Sequence, residues 1–277
     1  MLEVLFEEIA EADSFYHILK KDSPTLKLIR RRGQGNKVSV YGESEDIEKE
    51  LVAKACTKLF IQSKEPNYIQ DILKKKFHYS NQEEIENITD ITNAILEKDD
   101  LYYEEKIHQH QLRDTLMAIF LLHLNEEEIH YDSIIHFRLH HYVDELTELI
   151  GFAIDEFKRE EDYQAYVHTL REFVRKREPI YEIIHVVQTN PLHFYRNNGS
   201  PIQKEELAKL KDNFPLYMLG LPEDEWFITP LIVLSPSKIY MYGDDPTEPH
   251  THSIMNIFQE RIEYLPFEYF PFQVEVE

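Results

Sequence analysis

Apolar residues recur every three or four positions over residues 137–187, the most regularly patterned part of the chain. One stripe runs from Leu139 to Phe157 and a second from Tyr163 to Val174, with the polar residues 158–162 between them. This spacing is typical of amphipathic helices. A short polar break between two such helices favours an antiparallel helical hairpin.

The N-terminal part alternates between strand and helix patterns. Strand patterns cover residues 2–6, 26–30 and 37–41, and helix patterns cover 7–21 and the residues after Ser44. Ser44 is a good N-cap, since its hydroxyl can accept a hydrogen bond from the first helical turn. The order βαββα predicts a small sheet with helices on one face, similar to most of a ferredoxin-like unit.

The middle of the chain is helical, with patterns over 69–77, 82–96 and 105–124. After Pro179, which ends the second helix of the hairpin, strand patterns at 181–187, 192–196 and 238–242 predict a small mixed sheet. We therefore predict an α+β, predominantly helical fold with a helical middle and a C-terminal sheet.

Charge is distributed unevenly over the chain. Residues 1–80 carry a net charge of +1 and residues 81–277 a net charge of −23, which together give the −22 of the whole chain. This change in composition predicts a boundary near residue 80, with a βαββα unit over 1–80 and a second unit over 81–277. The acidic second unit repels phosphate backbones, which disfavours general nucleic-acid binding.

The sequence motifs of several enzyme classes are absent from this chain. With seven glycines and no GxGxxG, GxxxxGK[ST] or GxSxG, a nucleotide-binding loop or a hydrolase nucleophile elbow is not expected. The single cysteine, Cys56, allows no internal disulfide and no cysteine-based zinc site. We therefore predict no catalytic residue and no cofactor.

No stretch resembles a membrane span or a signal peptide. The longest apolar run, Met117 to Leu124, falls far short of the roughly 20 residues that cross a bilayer. We expect a cytoplasmic protein without a membrane partner.

Basic residues are concentrated on the first predicted hairpin, where Arg30, Arg31, Arg32 and Lys37 form a compact patch. Such a patch can hold phosphate, RNA or an acidic partner. It can equally be a charged hairpin tip that protects an edge strand, or a surface that docks onto the acidic part of the same chain. A nucleic-acid binder acting through residues 30–37 is therefore one alternative function.

Histidines cluster at the start of the long helical region. His136 and His140, like His141 and Glu145, are spaced four residues apart, so each pair would share one face of a helix. Imidazoles at this spacing can bind zinc, although no third ligand is defined by the spacing. A metal-dependent enzyme or metal binder using these four residues is a second alternative, and solvated surface histidines are the simpler interpretation.

Three further polar residues lie within otherwise apolar elements. Arg138 opens the long helical region and can form an ion pair with a carboxylate such as Glu178. His185 lies within an apolar strand pattern, where a hydrogen-bonded core histidine is expected more often than a catalytic base. These three residues are candidates for a binding site or a structural network.

Five blocks of the sequence resemble one protein family. Residues 136–146, HFRLHHYVDEL, resemble the FRLxxYxxEL block of the YtxC-like sporulation proteins of endospore-forming bacteria. The remaining blocks agree with that family in order and spacing: FV…EP at 173–179, HVV at 185–187, LIVLSPSKI at 231–239 and NIFQERI at 256–262. The resemblance covers roughly residues 130–265. It implies a cytoplasmic protein in a sporulation context, and it brings no established catalytic residues.

The function predicted from these observations is non-enzymatic. The resemblance, and the lack of glycine-loop and nucleophile motifs, favour a cytoplasmic sporulation-associated protein that acts by contact with another macromolecule. We expect that macromolecule to be a protein. Nucleic acid is expected only through the basic patch at residues 30–37.

Overall fold

The computed structural model describes residues 1–31, 36–42, 44–97, 109–124, 128–211 and 227–272. The chain forms two compact units, Met1–Lys158 (unit 1) and Arg159–Glu277 (unit 2). Helices predominate, and each unit contains a four-stranded mixed sheet. The α+β, predominantly helical class predicted from the sequence is confirmed.

Unit 1 contains a sheet of β1 (Leu2–Phe6), β2 (Lys27–Arg31), β3 (Asn36–Tyr41) and β4 (Glu128–His130) in the order β2-β3-β1-β4. Strand β1 is antiparallel to β3 and parallel to β4. The predicted βαββα order is confirmed. The short strand β4 was not predicted, because only three residues pair with β1 and they lie in an acidic stretch without a strand pattern.

The helices of unit 1 bury their apolar faces in one core with the sheet. Ser44 caps α2 as expected, since its Oγ accepts a hydrogen bond from the Ile47 amide at 3.4 Å. The predicted division near residue 80 falls between α3 and α4, whose buried residues Leu73 and Ile85 belong to that same core. The bounds are α1 (Ile9–Asp22), α2 (Glu45–Ser63), α3 (Glu65–Lys75), α4 (Gln82–Glu97), α5 (Gln109–Leu122) and α6 (Tyr131–Arg138).

One continuous helix, α7 (His140–Arg175), replaces the predicted antiparallel hairpin. The polar residues 158–162 were interpreted as a break, and that interpretation was wrong. They contain neither glycine nor proline, and Lys, Arg and Glu are good helix formers. A side-chain hydrogen bond from Gln164 to Glu160, at 2.7 Å, joins positions i and i+4 at this point of the helix.

Unit 2 contains a sheet of β5 (Ile183–Val187), β6 (His193–Arg196), β7 (Lys238–Gly243) and β8 (Ile262–Pro266) in the order β6-β5-β7-β8. Strand β5 is antiparallel to β6 and parallel to β7, which is parallel to β8, so the predicted mixed sheet is confirmed. Besides residues 159–175 of α7, the described helices of this unit are α8 (Lys204–Lys211), α9 (Thr229–Leu234) and α10 (Pro249–Phe258), and 3₁₀ turns lie at Gln259–Arg261 and Phe267–Tyr269.

The two faces of the unit 2 sheet differ in character. Ile184, Val186 and Met241 lie on the face that is buried in the core of unit 2. Because side chains alternate along a strand, His185 and Tyr240 lie on the opposite face. Within the ranges described above, no helix combines the length and the apolar character needed to cross a membrane.

Candidate functional sites

The basic hairpin holds its described cations in internal ion pairs. The Arg30 guanidinium pairs with Asp13 of α1 and donates a hydrogen bond to the Ile9 carbonyl at 3.2 Å. Lys37 pairs with Glu3 of β1 and lies 3.0 Å from Glu128 of β4. Hydrogen bonds to these two carboxylates, that to Glu3 above all, raise the pKa of Lys37. Both cations are therefore largely neutralised by their own chain.

The remaining two arginines of the patch are described only in part. The backbone of Arg31 pairs with that of Lys37 in the β2–β3 ladder. The side chain of Arg31 and the whole of Arg32 lie outside the described residues. The patch is thus a sheet edge with two internal ion pairs, and its binding role stays a prediction.

The four histidine-cluster residues do not converge on one point. Helix α6 ends at Arg138 and α7 begins at His140, so His136 and His140 are on different helices. The His136 Nδ1 lies 2.7 Å from the Asp132 carbonyl, and the His141 Nε2 lies 3.2 Å from Glu145. In the part of the chain that the structure describes, no three His, Cys, Asp or Glu side chains are grouped as a metal site would require.

The junction between α6 and α7 exposes an aromatic and a cationic side chain. Phe137 is 70% exposed, and Arg138 is exposed with no ion pair to a described residue. Leu139 and Tyr142, which follow directly, are buried in the core of unit 1. Glu178, the partner suggested for Arg138, is an exposed residue of unit 2, so that pairing stays a prediction.

His185 is a buried, hydrogen-bonded histidine of β5. Its Nδ1 lies 2.9 Å from the Tyr242 hydroxyl and its Nε2 lies 3.4 Å from the Asn197 Oδ1. Because the amide oxygen can only accept, the ring donates from Nε2, and Nδ1 accepts from Tyr242. Burial lowers the pKa of His185, which favours this neutral form. His185 is thus buried and hydrogen-bonded as expected, but it lies on the sheet face opposite the core of unit 2.

Two buried polar networks in unit 1 were not predicted. In the first, the Lys64 ammonium lies 2.7 Å from Glu11 and 3.8 Å from Asp132. Asp132 also accepts a hydrogen bond from the Glu7 amide at 2.8 Å. Burial raises the pKa of Glu11, and the hydrogen bond from Lys64 offsets part of this effect. The network joins the first turns of α1 and α6 to the junction of α2 and α3.

The second network surrounds Glu65, a buried residue of the first turn of α3. The Tyr142 hydroxyl of α7 donates a hydrogen bond to the Glu65 Oε1, and the Arg113 guanidinium of α5 lies 3.6 Å from the Oε2. Burial raises the pKa of both Glu65 and Tyr142. Three helices are therefore tied together at one carboxylate.

One sequence signal could have found the second network. Tyr142 lies on the apolar stripe of α7, where its ring is fully buried, and a buried tyrosine hydroxyl usually has a hydrogen-bond partner. The partner itself could not be inferred, because Glu65 lies 77 positions away in the sequence. In each network a buried carboxylate faces a partly exposed cation, Lys64 or Arg113, and we interpret both as parts of the scaffold of unit 1.

Comparisons with known proteins agree with the resemblance seen in the sequence blocks. The model of the YtxC-like family matches residues 50–263. The chain is 28% identical to a protein named "Uncharacterized protein YtxC" from Bacillus subtilis (strain 168), over 98% of this chain and 96% of that protein. No solved structure matches the chain. Because the family model covers well over half of its length, the chain belongs to the YtxC-like family.

Proposed function

We propose that this protein is a non-enzymatic, cytoplasmic protein associated with sporulation and acts by contact with another protein. The sporulation context is supported by the resemblance to the YtxC-like sporulation proteins. The contact role is supported by one observation above all, the exposed Phe137 beside the exposed Arg138 at the junction of α6 and α7.

An exposed phenylalanine forgoes the stabilisation that its burial would give. Burying such a side chain fully is worth about 1.5–3 kcal/mol, and Phe137 leaves most of this unused at 70% exposure. Core packing explains the neighbouring Leu139 and Tyr142, but it does not explain Phe137. Aromatic and arginine side chains are enriched in the centres of protein interfaces. Residues 137 and 138 therefore have the chemistry of an interface anchor.

The test replaces the chromosomal gene with a Phe137→Ala/Arg138→Ala variant in a spore-forming host. Leu122→Ala is the matched control, since Leu122 is 69% exposed on α5. Heat-resistant spores are counted, the variant protein is quantified by immunoblot, and cross-linked complexes are compared with those of the parent protein. We expect the double variant to lose its cross-linked complex and at least ten-fold in spore count at unchanged protein level, while the control matches the parent.

Two results would refute the proposal. One is a double variant whose complexes and spore counts equal those of the control. The other is turnover of a substrate by the purified protein that a single substitution abolishes, because this would show an enzyme.

A further inference from the structure

The face of the unit 2 sheet opposite the core presents a row of rings. The strand register places Tyr195 of β6 and Tyr240 of β7 on either side of His185, with Glu263 of β8 next in the row. The rings of His185 and Tyr240 are stacked with centroids 5.4 Å apart. Tyr242 lies on the same face, two residues further along β7. We call Tyr195, His185, Tyr240 and Tyr242 the aromatic row.

The chain's own C-terminal segment lies on this row. After β8, residues 267–272, here called the strap, cross the sheet. The Phe270 ring lies 5.2 Å from both Tyr195 and Tyr242, and the Phe272 ring lies 5.2 Å from His185. The turn at Gly199 accommodates the strap, because a Cβ built at this position would lie only 2.6 Å from the Phe272 ring.

The strap is held by its rings and not by a strand ladder. Among the described residues, its backbone makes one hydrogen bond, from the Phe270 amide to the Phe267 carbonyl, and this bond is internal to the strap. Tyr269 is 62% exposed and Phe267 is 43% exposed, so neither ring is buried against the sheet. A segment held only by side-chain packing can leave the sheet without disrupting backbone pairing.

Charge makes the strap a weak occupant of its own site. Residues 259–272 contain three glutamates, Glu260, Glu263 and Glu268, and one cation, Arg261. Of these, only Glu268 lies in the strap, where it is repelled by the chain's net charge of −22. The aromatic row already binds one cation, because the Lys238 ammonium lies 5.3 Å from the Tyr240 ring centroid and 2.9 Å from Glu263.

We propose that the aromatic row is a docking site for a basic, aromatic peptide segment of a partner protein, and that the strap is its intramolecular competitor. A partner segment of this kind reproduces the ring contacts of Phe270 and Phe272. Its lysines or arginines are attracted by the chain's net charge of −22, which repels Glu268 of the strap. This inference rests on the proposed contact function and specifies the chemistry of one partner segment.

The experiment measures binding of a fluorescent probe peptide to the purified full-length chain by anisotropy. The probe has a Phe-Pro-Phe core, as in residues 270–272, flanked by two lysines on each side. One control probe has glutamates in place of the lysines, and a second has an Ala-Pro-Ala core. We expect the basic aromatic probe to bind at least ten-fold more tightly than either control, and to weaken as salt is raised.

Variants separate the strap from the row. Phe270→Ser/Phe272→Ser removes the competitor, so we expect at least five-fold tighter probe binding. Gly199→Ala displaces Phe272 by a different route and gives the same direction of change. Tyr240→Ala removes a ring of the row and lowers the affinity at least five-fold. Circular dichroism melting curves establish that each variant is folded before its affinity is compared.

The proposal is overturned if both strap variants bind the basic probe no more tightly than the parent, or if the acidic probe binds equally well. Such a result would leave the proposed function intact, because Phe137 and Arg138 lie in unit 1 and are tested in cells by their own variant. Conversely, an unchanged spore count in the Phe137→Ala/Arg138→Ala variant would not alter the peptide affinities.

Discussion

Tyr142→Phe is the substitution that tests most directly how the core of unit 1 is held together. The change removes one oxygen atom and keeps the ring, which packs edge-on against Phe60 with centroids 5.5 Å apart. The lost hydroxyl is the hydrogen-bond donor to Glu65, a carboxylate only 2% exposed. The remaining described cation, Arg113, lies 3.6 Å from the other carboxylate oxygen.

The expected loss follows from the charge of the acceptor. A hydrogen bond to a charged group contributes about 1.5–3 kcal/mol, and a bond between neutral groups about 1 kcal/mol. Since the folded protein raises the pKa of Glu65, ionisation of Glu65 opposes folding. The contribution of Glu65 to stability is therefore complete at pH values below its pKa in the unfolded chain. This contribution is lost as the pH rises through its pKa in the folded protein.

The Tyr142 hydroxyl stabilises the ionised form of Glu65, so its removal matters most at high pH. We expect Tyr142→Phe to lower the free energy of unfolding by about 2–3 kcal/mol at pH 8 and by about 1 kcal/mol at pH 4. Urea unfolding followed by circular dichroism at both pH values measures the difference. Combining Tyr142→Phe with Glu65→Gln in a double-mutant cycle isolates the energy of the pair.

Tyr68→Phe is the matched control. The Tyr68 ring also packs against Phe60, at 5.6 Å, and its hydroxyl has no hydrogen-bond partner among the described residues. We expect this change to alter the free energy of unfolding by less than about 0.5 kcal/mol. A Tyr142→Phe loss below about 0.5 kcal/mol at pH 8, or an equal loss at pH 4 and pH 8, would refute the reasoning.

Three further predictions concern the other sites. Untagged protein should hold less than about a tenth of an equivalent of transition metal, and His140→Ala should leave this metal content unchanged. About one equivalent of metal in the parent protein that is lost in His140→Ala would contradict the prediction. Because Arg30 and Lys37 are paired with carboxylates, RNA should show no salt-dependent binding in an anisotropy titration, and binding lost in Lys37→Ala would contradict this. Gly243→Ala should lower the free energy of unfolding by about 1–3 kcal/mol, because a Cβ at this position would lie 2.0 Å from the Gln188 Oε1. Urea titration measures the change, and an unchanged urea midpoint would contradict the prediction.

Local sequence pattern was enough to predict most elements of the fold. The alternation in β1 and the periodicity of α1 and α2 depend on neighbouring residues alone, and the βαββα order was correct. The strands β5, β6 and β7 were predicted in the same way, from the apolar residues within them. The continuity of α7 was missed because a polar stretch of good helix formers looks the same in sequence whether it breaks a helix or lies on its exposed face.

Pairings between residues far apart in the sequence depend on how the whole chain packs. Strand β4 forms because it pairs with β1, which lies more than 120 positions earlier in the chain. Glu65 meets Tyr142, and the strap meets the aromatic row, for the same reason: each contact depends on where elements far apart in sequence pack. The local pattern of apolar residues already specifies which faces of the helices and strands are apolar. Burial of those faces then decided which charges, hydroxyls and rings lie together, because the interior is close-packed and its buried polar groups require partners.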